Sequence, residues 1–314
     1  MAEKQRAPQN RTLTLTREQE QQMLQRCLVW KEGLSLSALQ DGVLLGDAFE
    51  LMEKLPDSFV DLLIVDPPYN LSKQYGSRRF RQTAASEYAD FTRRWIEAVR
   101  HTLKPNATIY VCCDWRSSLI IGAVLEEYFT LRNRITWQRE KGRGAAANYK
   151  NAMEDIWFAT VDGAEYTFHT DAVRLRRRVW APYLADGLPK DWEETAEGKF
   201  RDTAPSNFWD DITVPYWSMP ENTDHPTQKP EKLLAKLILA SSNQGDMVLD
   251  PFGGVGSTAV TAKKLGRHFL TIEREEEYCA LAQARLQRAQ QDNAIQGYED
   301  GVFWERNSKP AKRG

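Results

Sequence analysis

The chain has 314 residues, 41% hydrophobic and 27% charged, enough for one large α/β core or two smaller domains. Four cysteines without a C-x-x-C spacing and four scattered histidines argue against a disulfide framework and a zinc site, so no metal is expected. The polar start (MAEKQRAPQN) and the lack of a long apolar run argue against a secretory leader and a membrane span, so a soluble, cytoplasmic protein is expected.

Residues 1–40 read as a helical, peripheral extension. Beyond them, short β-branched runs bounded by turn residues predict strands at 43–47, 61–66, 108–113, 131–137, 155–161, 247–250 and 268–273. Helical stripes lie between them. Phe91, Trp95, Val99 and Leu103 recur every four residues, Leu233, Leu234, Leu237 and Ile238 form a second stripe, and 275–291 read as a charged amphipathic helix. The alternation predicts a doubly wound α/β fold around a largely parallel, seven-stranded sheet covered on both faces. Residues 163–224, with Trp180, Trp192, Trp209, Trp217 and several prolines, break the rhythm and read as an insert with its own task. The tail from about 303 is polar, basic and expected to fray. The expected division is an extension (1–40), two halves of one domain (41–162 and 225–290), the insert between them (163–224) and a tail (291–314).

A net charge of −2 does not mark a nucleic-acid binder, but the distribution is uneven. Lys73, Arg78, Arg79, Arg81, Arg93 and Arg94 face only Glu87 and Asp90; Arg132, Arg134, Arg139, Lys141, Arg143 and Lys150 face only Glu140. A third cluster is Arg174, Arg176, Arg177 and Arg178. Each alone reads as a solvated face. Together, interleaved with Tyr75, Trp137 and Tyr149, they predict a groove that tracks phosphates.

Two strand ends carry chemistry. One runs into Asp250, Pro251, Phe252, Gly253, Gly254, Val255, Gly256, Ser257 and Thr258, a glycine-rich turn that opens a helix. The next strand ends in Glu273, placed to accept hydrogen bonds from a ribose. Gly254-x-Gly256-x-x-Ala259, with an acid nineteen residues after Gly254, also fits the dinucleotide fingerprint. The loop alone therefore suits a nicotinamide cofactor or S-adenosylmethionine. No G-x-x-x-x-G-K-[ST] occurs, which excludes a P-loop.

The other strand runs into Asp66, Pro67, Pro68 and Tyr69. Two prolines force a rigid turn past the strand's carboxyl end, where open α/β sheets bind ligands. A carboxylate, carbonyls without neighbouring N–H donors and an aromatic face suit a planar base bearing an amino group. The acceptors hold the amine and orient its lone pair, and Tyr69 stacks on the ring.

Asp-Pro-Pro-Tyr together with Asp-Pro-Phe-Gly-Gly-x-Gly resembles the amino-methylating DNA methyltransferases. The tetrapeptide comes first, then the insert, then His225 to Pro230 (HPTQKP), then the glycine loop. This permuted order resembles the β class, often found in restriction–modification systems, over roughly residues 43–285. The resemblance implies the class I methyltransferase fold and S-adenosyl-L-methionine as cofactor. It implies double-stranded DNA as substrate and methyl transfer to N6 of a flipped adenine, because Asp opens the tetrapeptide more typically in adenine enzymes and Ser in cytosine-N4 enzymes. It assigns catalysis to Asp66, Pro67, Pro68 and Tyr69. It places His225 and Lys229 at the methionine end of the cofactor and Asp47 near its adenine. Asp250, Pro251, Phe252, Gly253, Gly254, Gly256, Thr258 and Glu273 complete that site. The insert becomes the target-recognition region, and Lys73, Arg78, Arg79, Arg139, Lys141, Arg143, Arg174, Arg176, Arg177 and Arg178 become candidate DNA contacts. A homodimer and a cognate restriction endonuclease follow as candidate partners, with the protein working at the nucleoid. The alternatives are a cytosine-N4 methyltransferase of the same fold and an NAD-dependent dehydrogenase, which would leave Asp66 to Tyr69 unexplained.

Overall fold

A computed structural model describes residues 7–71, 82–139, 146–180, 183–186, 188–195 and 197–306, and the backbone alone of 73–75 and 78–80. Among these residues nine strands form one sheet. In chain order they are β1 (Leu28–Val29), β2 (Gly42–Leu45), β3 (Val60–Val65), β4 (Leu103–Cys113), β5 (Thr130–Gln138), β6 (Met153–Thr160), β7 (Phe208–Trp209), β8 (Met247–Asp250) and β9 (His268–Glu273). In space they run β1-β2-β9-β8-β3-β4-β6-β5-β7. Pairing is parallel from β1 to β4; β6 lies antiparallel between β4 and β5.

The uninterrupted apolar run Leu62–Val65 of β3 follows from burial on both faces. Leu62 and Ile64 point into one core, Leu63 and Val65 into the other. Besides the short helices Leu36–Leu39 and Ala48–Met52, the described residues form six α-helices, in chain order α1 (Arg17–Leu24), α2 (Ala85–Val99), α3 (Trp115–Glu126), α4 (Glu231–Ser241), α5 (Ser257–Lys264) and α6 (Glu276–Ala289). Trp95, Ile96, Ile121 and Leu125 of α2 and α3 cover the first face. Leu233, Leu237, Val260 and Ala282 of α4, α5 and α6 cover the second. No helix among the described residues is long and apolar enough to cross a membrane.

Strands β3 and β8 are parallel neighbours, with Val248 opposite Leu62 and Leu249 opposite Leu63. The chain leaves β3 for a helix on one face and leaves β8 for a helix on the other. Their carboxyl ends therefore diverge around a crevice, the switch point at which such sheets bind ligands.

The seven expected strands all form, with ends shifted by a few residues. The sheet nevertheless has nine strands rather than seven, because two-residue strands close both edges. The extension is not wholly helical and not merely peripheral. It adds β1, and its helix α1 starts in a capping box, where Thr16 and Gln19 bond each other's backbone N–H. Leu13 and Met23 then pack on Val255, Ala280 and Leu281. The tail is likewise ordered further than its composition suggests. Strands Tyr298–Glu299 and Val302–Trp304 join Leu175–Arg178, Gly198–Thr203 and Glu193–Thr195 of the insert in one five-stranded sheet. Phe303 is fully buried there against Val173, Leu175 and Leu239.

Candidate active site

The turn after β3 is fixed from several sides. The Tyr88 hydroxyl of α2 donates to the Pro68 carbonyl at 3.0 Å. Asn70, itself buried, receives the Thr83 amide at 2.7 Å and donates to the Thr83 carbonyl at 3.0 Å, closing the base of the excursion between them. Among the described residues no donor reaches the Pro67 carbonyl, as expected of a proline-rich turn.

Asp66 sits at the centre of a charge network. Its Oδ1 accepts the Tyr69 hydroxyl at 2.9 Å, and its Oδ2 accepts the Lys229 ammonium at 2.6 Å. Lys229 also donates to Tyr69 Oη at 3.0 Å and lies 3.4 Å from Glu154 Oε2. Glu154, buried at the start of β6, is ion-paired in turn with Arg139 at the end of β5. Burial alone would lower the Lys229 pKa, but Asp66 and Glu154 outweigh it and hold the ammonium charged well above its ordinary range. Burial, with the same two carboxylates, pushes the Tyr69 phenol up, so it stays a neutral donor. Cys112, beneath the turn, is raised by burial and is not a ready thiolate.

Lys229 reaches this place because Gln228 shapes the preceding turn. Gln228 Oε1 accepts the Thr223 amide at 2.9 Å, and its Nε2 donates to the Glu221 carbonyl at 2.7 Å. Pro230 then stands at the N-cap of α4.

The loop after β8 is braced from within. Asp250 Oδ2 accepts the Thr258 hydroxyl at 2.6 Å and Oδ1 the Phe252 amide at 3.1 Å. Burial raises its pKa to about 7. A Cβ on Gly253 would lie 1.8 Å from Thr271 Oγ1, and Gly256 holds a left-handed φ of +71° against Ala282. Glu273 Oε2 accepts the Gly254 amide at 2.8 Å, while Oε1 accepts those of Arg274 and Glu275 at 2.7 and 2.8 Å. A carboxylate offers about four acceptor sites, so Oε2 keeps one for a ligand.

Both loops open into one cleft of about 420 Å³. From the sequence-predicted residues it gathers Asp47, Asp66, Pro67, Pro68, Tyr69, His225, Pro251, Phe252, Gly254 and Glu273. Asp250, Gly253, Gly256 and Thr258 stand behind the loop and shape it. Lys229 is drawn not to the cleft but to the far side of Asp66. Tyr69 is only 8% exposed, its hydroxyl turned into the charge network rather than its whole face offered outward. Asp47 caps the short helix Ala48–Met52 through the Phe49 amide and lies 3.4 Å from Arg274.

The candidate DNA contacts are dispersed. Lys141 and Arg143 lie outside the described residues, as do the side chains of Lys73, Arg78 and Arg79. Arg139 pairs with Glu154, Arg174 with Asp171, Arg176 with Asp202, and Arg177 with Glu305 and Asp210. Arg178 donates to the Glu197 carbonyl and lies over the Trp180 and Phe200 rings. The last four of these guanidinium groups tie the insert to itself and to the tail.

Several lining residues escaped the motifs: Phe49, Phe91, Arg94, Arg274 and Tyr278. Phe49 packs edge-on to Phe91 and Phe252, with Arg94 over its other side. Glu154 was also missed, although an acid pair at the head of an apolar strand is a signal for a buried charge with a task. Aromatic walls, a carboxylate with a spare acceptor and a loop that admits close approach fit S-adenosylmethionine in volume and donor chemistry.

Comparison with known proteins agrees with this geometry. A family model described as DNA methylase (N6_N4_Mtase) matches residues 60–284. The Type II methyltransferase M.HpaI of Haemophilus parainfluenzae is 32% identical over 257 residues, 81% of this chain and 74% of that protein. The DNA adenine methyltransferase YhdJ of Escherichia coli (strain K12) is 33% identical over 242 residues, 77% of this chain and 81% of that one. The M1.HpyAVI–SAM complex superposes with a TM-score of 0.55 at 26% identity, over 78% of this chain and 98% of that chain. The cytosine-N4-specific PvuII DNA methyltransferase shares the fold, with a TM-score of 0.55 at 16% identity over 80% of this chain and 90% of that one.

Proposed function

The chain belongs to the DNA methylase family of S-adenosylmethionine-dependent enzymes, and on that premise we propose that it methylates the N6 amine of an adenine flipped out of double-stranded DNA. The observation that carries this reading is that Asp66 and Glu273, at the ends of strands separated only by β8, line the same cleft. An amine acceptor and a ribose acceptor thus share one cavity.

When bound, S-adenosylmethionine supplies a methyl group already activated on a sulfonium. Glu273 would hold its ribose, Asp47 and the Phe49 and Phe252 rings its adenine end, and His225 its methionine end. The chain's own task is placement. Asp66 and the Pro67 carbonyl take the two hydrogens of the adenine amine, which turns its lone pair toward the methyl donor and favours rehybridisation as attack proceeds. Those bonds strengthen in the transition state and therefore act on kcat. As nitrogen gains the methyl group it sheds a proton, and the Asp66 carboxylate is the acceptor at hand. Inside a duplex the amine is paired and stacked, so the base is extruded at a cost of a few kcal/mol. Contact of the extruded base with the part of Tyr69 that lines the cleft offsets part of this cost.

Adenine rather than cytosine is favoured by the Asp that opens the tetrapeptide and by the similarity to an adenine methyltransferase. The test is expression in methylation-deficient cells followed by mass spectrometry of the DNA nucleosides. N6-methyladenine is the expected product; N4-methylcytosine would replace this reading with the other.

A further inference from the structure

Arg139, Glu154, Lys229 and Asp66 form a string of alternating charge that begins at the ends of the antiparallel pair β5 and β6 and finishes at the amine acceptor. Its last two links are short, 2.6 Å from Lys229 Nζ to Asp66 Oδ2 and 3.4 Å from Nζ to Glu154 Oε2. Lys229 and Glu154 are both nearly inaccessible, with side chains 8% and 5% exposed, whereas Asp66 keeps 24%. Asp66 lines the cleft; Lys229 and Glu154 do not. The ammonium therefore stands behind the carboxylate and leaves its open edge to the substrate.

From this placement we propose that Lys229, seated by Glu154, is a positioning residue that keeps Asp66 ionised and aimed when the flipped base and the duplex seal the cleft. Without such a cation, exclusion of water would favour the neutral acid, a weaker acceptor that would present a hydrogen where the amine needs a lone pair. The other groups facing Asp66 reinforce the need. Tyr69 donates from its own turn, while Glu154 from β6 and Asp250 from the end of β8 are further acids, and buried Cys112 of β4 is neutral. Lys229 is the cation in direct contact with Asp66 among the described residues, and Arg139 acts only through Glu154.

The inference rests on the amine-methylating reading, and its test separates the two. The full-length enzyme is assayed for kcat against pH with a methylatable duplex, alongside cofactor affinity. If the wild type makes no methylated base, the functional reading fails before the inference is reached. With an active wild type, Lys229→Met is expected to lower kcat about 100-fold, the scale of a misplaced catalytic group. Its acid limb should move up by about one pH unit or more, since Asp66 and Glu154 are then like charges without a cation between them. Cofactor affinity should stay within about threefold, as Lys229 does not line the cleft. Lys229→Arg should keep the limb near its wild-type position, and the double variant Lys229→Met with Glu154→Gln should bring it back down. A limb that does not move in Lys229→Met, or is not returned by the second substitution, overturns the proposal. If Lys229→Met does not fold, Lys229→Arg and Glu154→Gln decide. Removing the negative charge behind Lys229 should lower the limb, and a limb that stays or rises overturns the assignment.

Discussion

The Gly254 amide donates to Glu273 Oε2 at 2.8 Å, so the carboxylate placed to hold a ribose also sets the shape of the loop that would hold the rest of the cofactor. Its other oxygen fastens the Arg274 and Glu275 amides. Glu273→Ala removes all three of these hydrogen bonds at once. Hydrogen bonds to a charged group contribute about 1.5–3 kcal/mol, so the cofactor dissociation constant should rise by about 10- to 100-fold. Glu273→Gln keeps one acceptor oxygen and should lie between. Equilibrium titration with S-adenosylmethionine measures both, and an unchanged constant in Glu273→Ala would take the ribose role away from this residue.

Asp66→Ala should separate chemistry from binding. The substitution leaves Lys229 beside Glu154, so a buried cation keeps an acid partner and the fold should persist. Loss of one oriented hydrogen-bonding group at a reacting centre costs about 10²- to 10³-fold in kcat, and Asp66 is also the proposed proton acceptor, so the loss should sit at or beyond the upper figure. Cofactor affinity should change by less than about threefold, because the proposed cofactor contacts, Asp47, Phe49, His225, Phe252 and Glu273, do not include Asp66. Single-turnover methyl transfer into a duplex reads the first, and titration the second. Substantial residual turnover would remove Asp66 from the centre of the mechanism.

Asp250 gives a pH signature. Burial raises its pKa from the ordinary 3.8 to about 7. The folded state thus binds the proton more tightly than the unfolded chain. The stability that comes with the protonated form is fully present below about 4 and is lost as the pH rises through about 7. Asp250→Asn is neutral throughout and keeps an acceptor for the Phe252 amide and a partner for Thr258. Its melting temperature should fall less steeply between pH 4 and 7 than that of the wild type. Parallel melting curves across that window would mean that Asp250 is ionised in the fold at neutral pH.

The parts of the molecule legible beforehand are those written contiguously. β3 announces itself because a strand buried on both faces must be apolar at consecutive positions, and the two loops because rigid or close-approaching backbone demands Pro-Pro and Gly-Gly. β1 and β7 are two residues each, too short for any periodicity, and are strands only because a sheet edge lies beside them. Lys229 was legible as a site residue but its partner was not: 163 positions separate it from Asp66, and only the approach of α4 to the end of β3 joins them. Glu154 and Arg139 share that reason, since the pairing of Trp137 with Glu154 is a register set by tertiary contact. Arg176 and Arg177 look like part of a phosphate grip in a linear reading, because the acids that neutralise them, Asp202, Asp210 and Glu305, arrive from remote segments.

That last arrangement separates two kinds of residue in the insert. Phe303 of the tail is fully buried against Leu175, and its neighbour Trp304 pairs in register with Arg176, so the tail is a structural strand of the insert's sheet. Truncation of a buried phenylalanine to alanine costs about 3–5 kcal/mol, and Phe303→Ala should lower the urea midpoint accordingly with little change in the slope. Arg176 instead makes a part-exposed pair with Asp202 at 2.7 Å. Such pairs contribute about 0–1 kcal/mol, so Arg176→Gln should leave the midpoint almost unmoved. Its guanidinium is already committed, so affinity for a DNA duplex at fixed salt should fall by less than about twofold, whereas a phosphate contact would steepen the loss at low salt. A large drop in duplex affinity for Arg176→Gln would restore the grip that the sequence suggested; a Phe303→Ala chain as stable as the wild type would detach the tail from the fold.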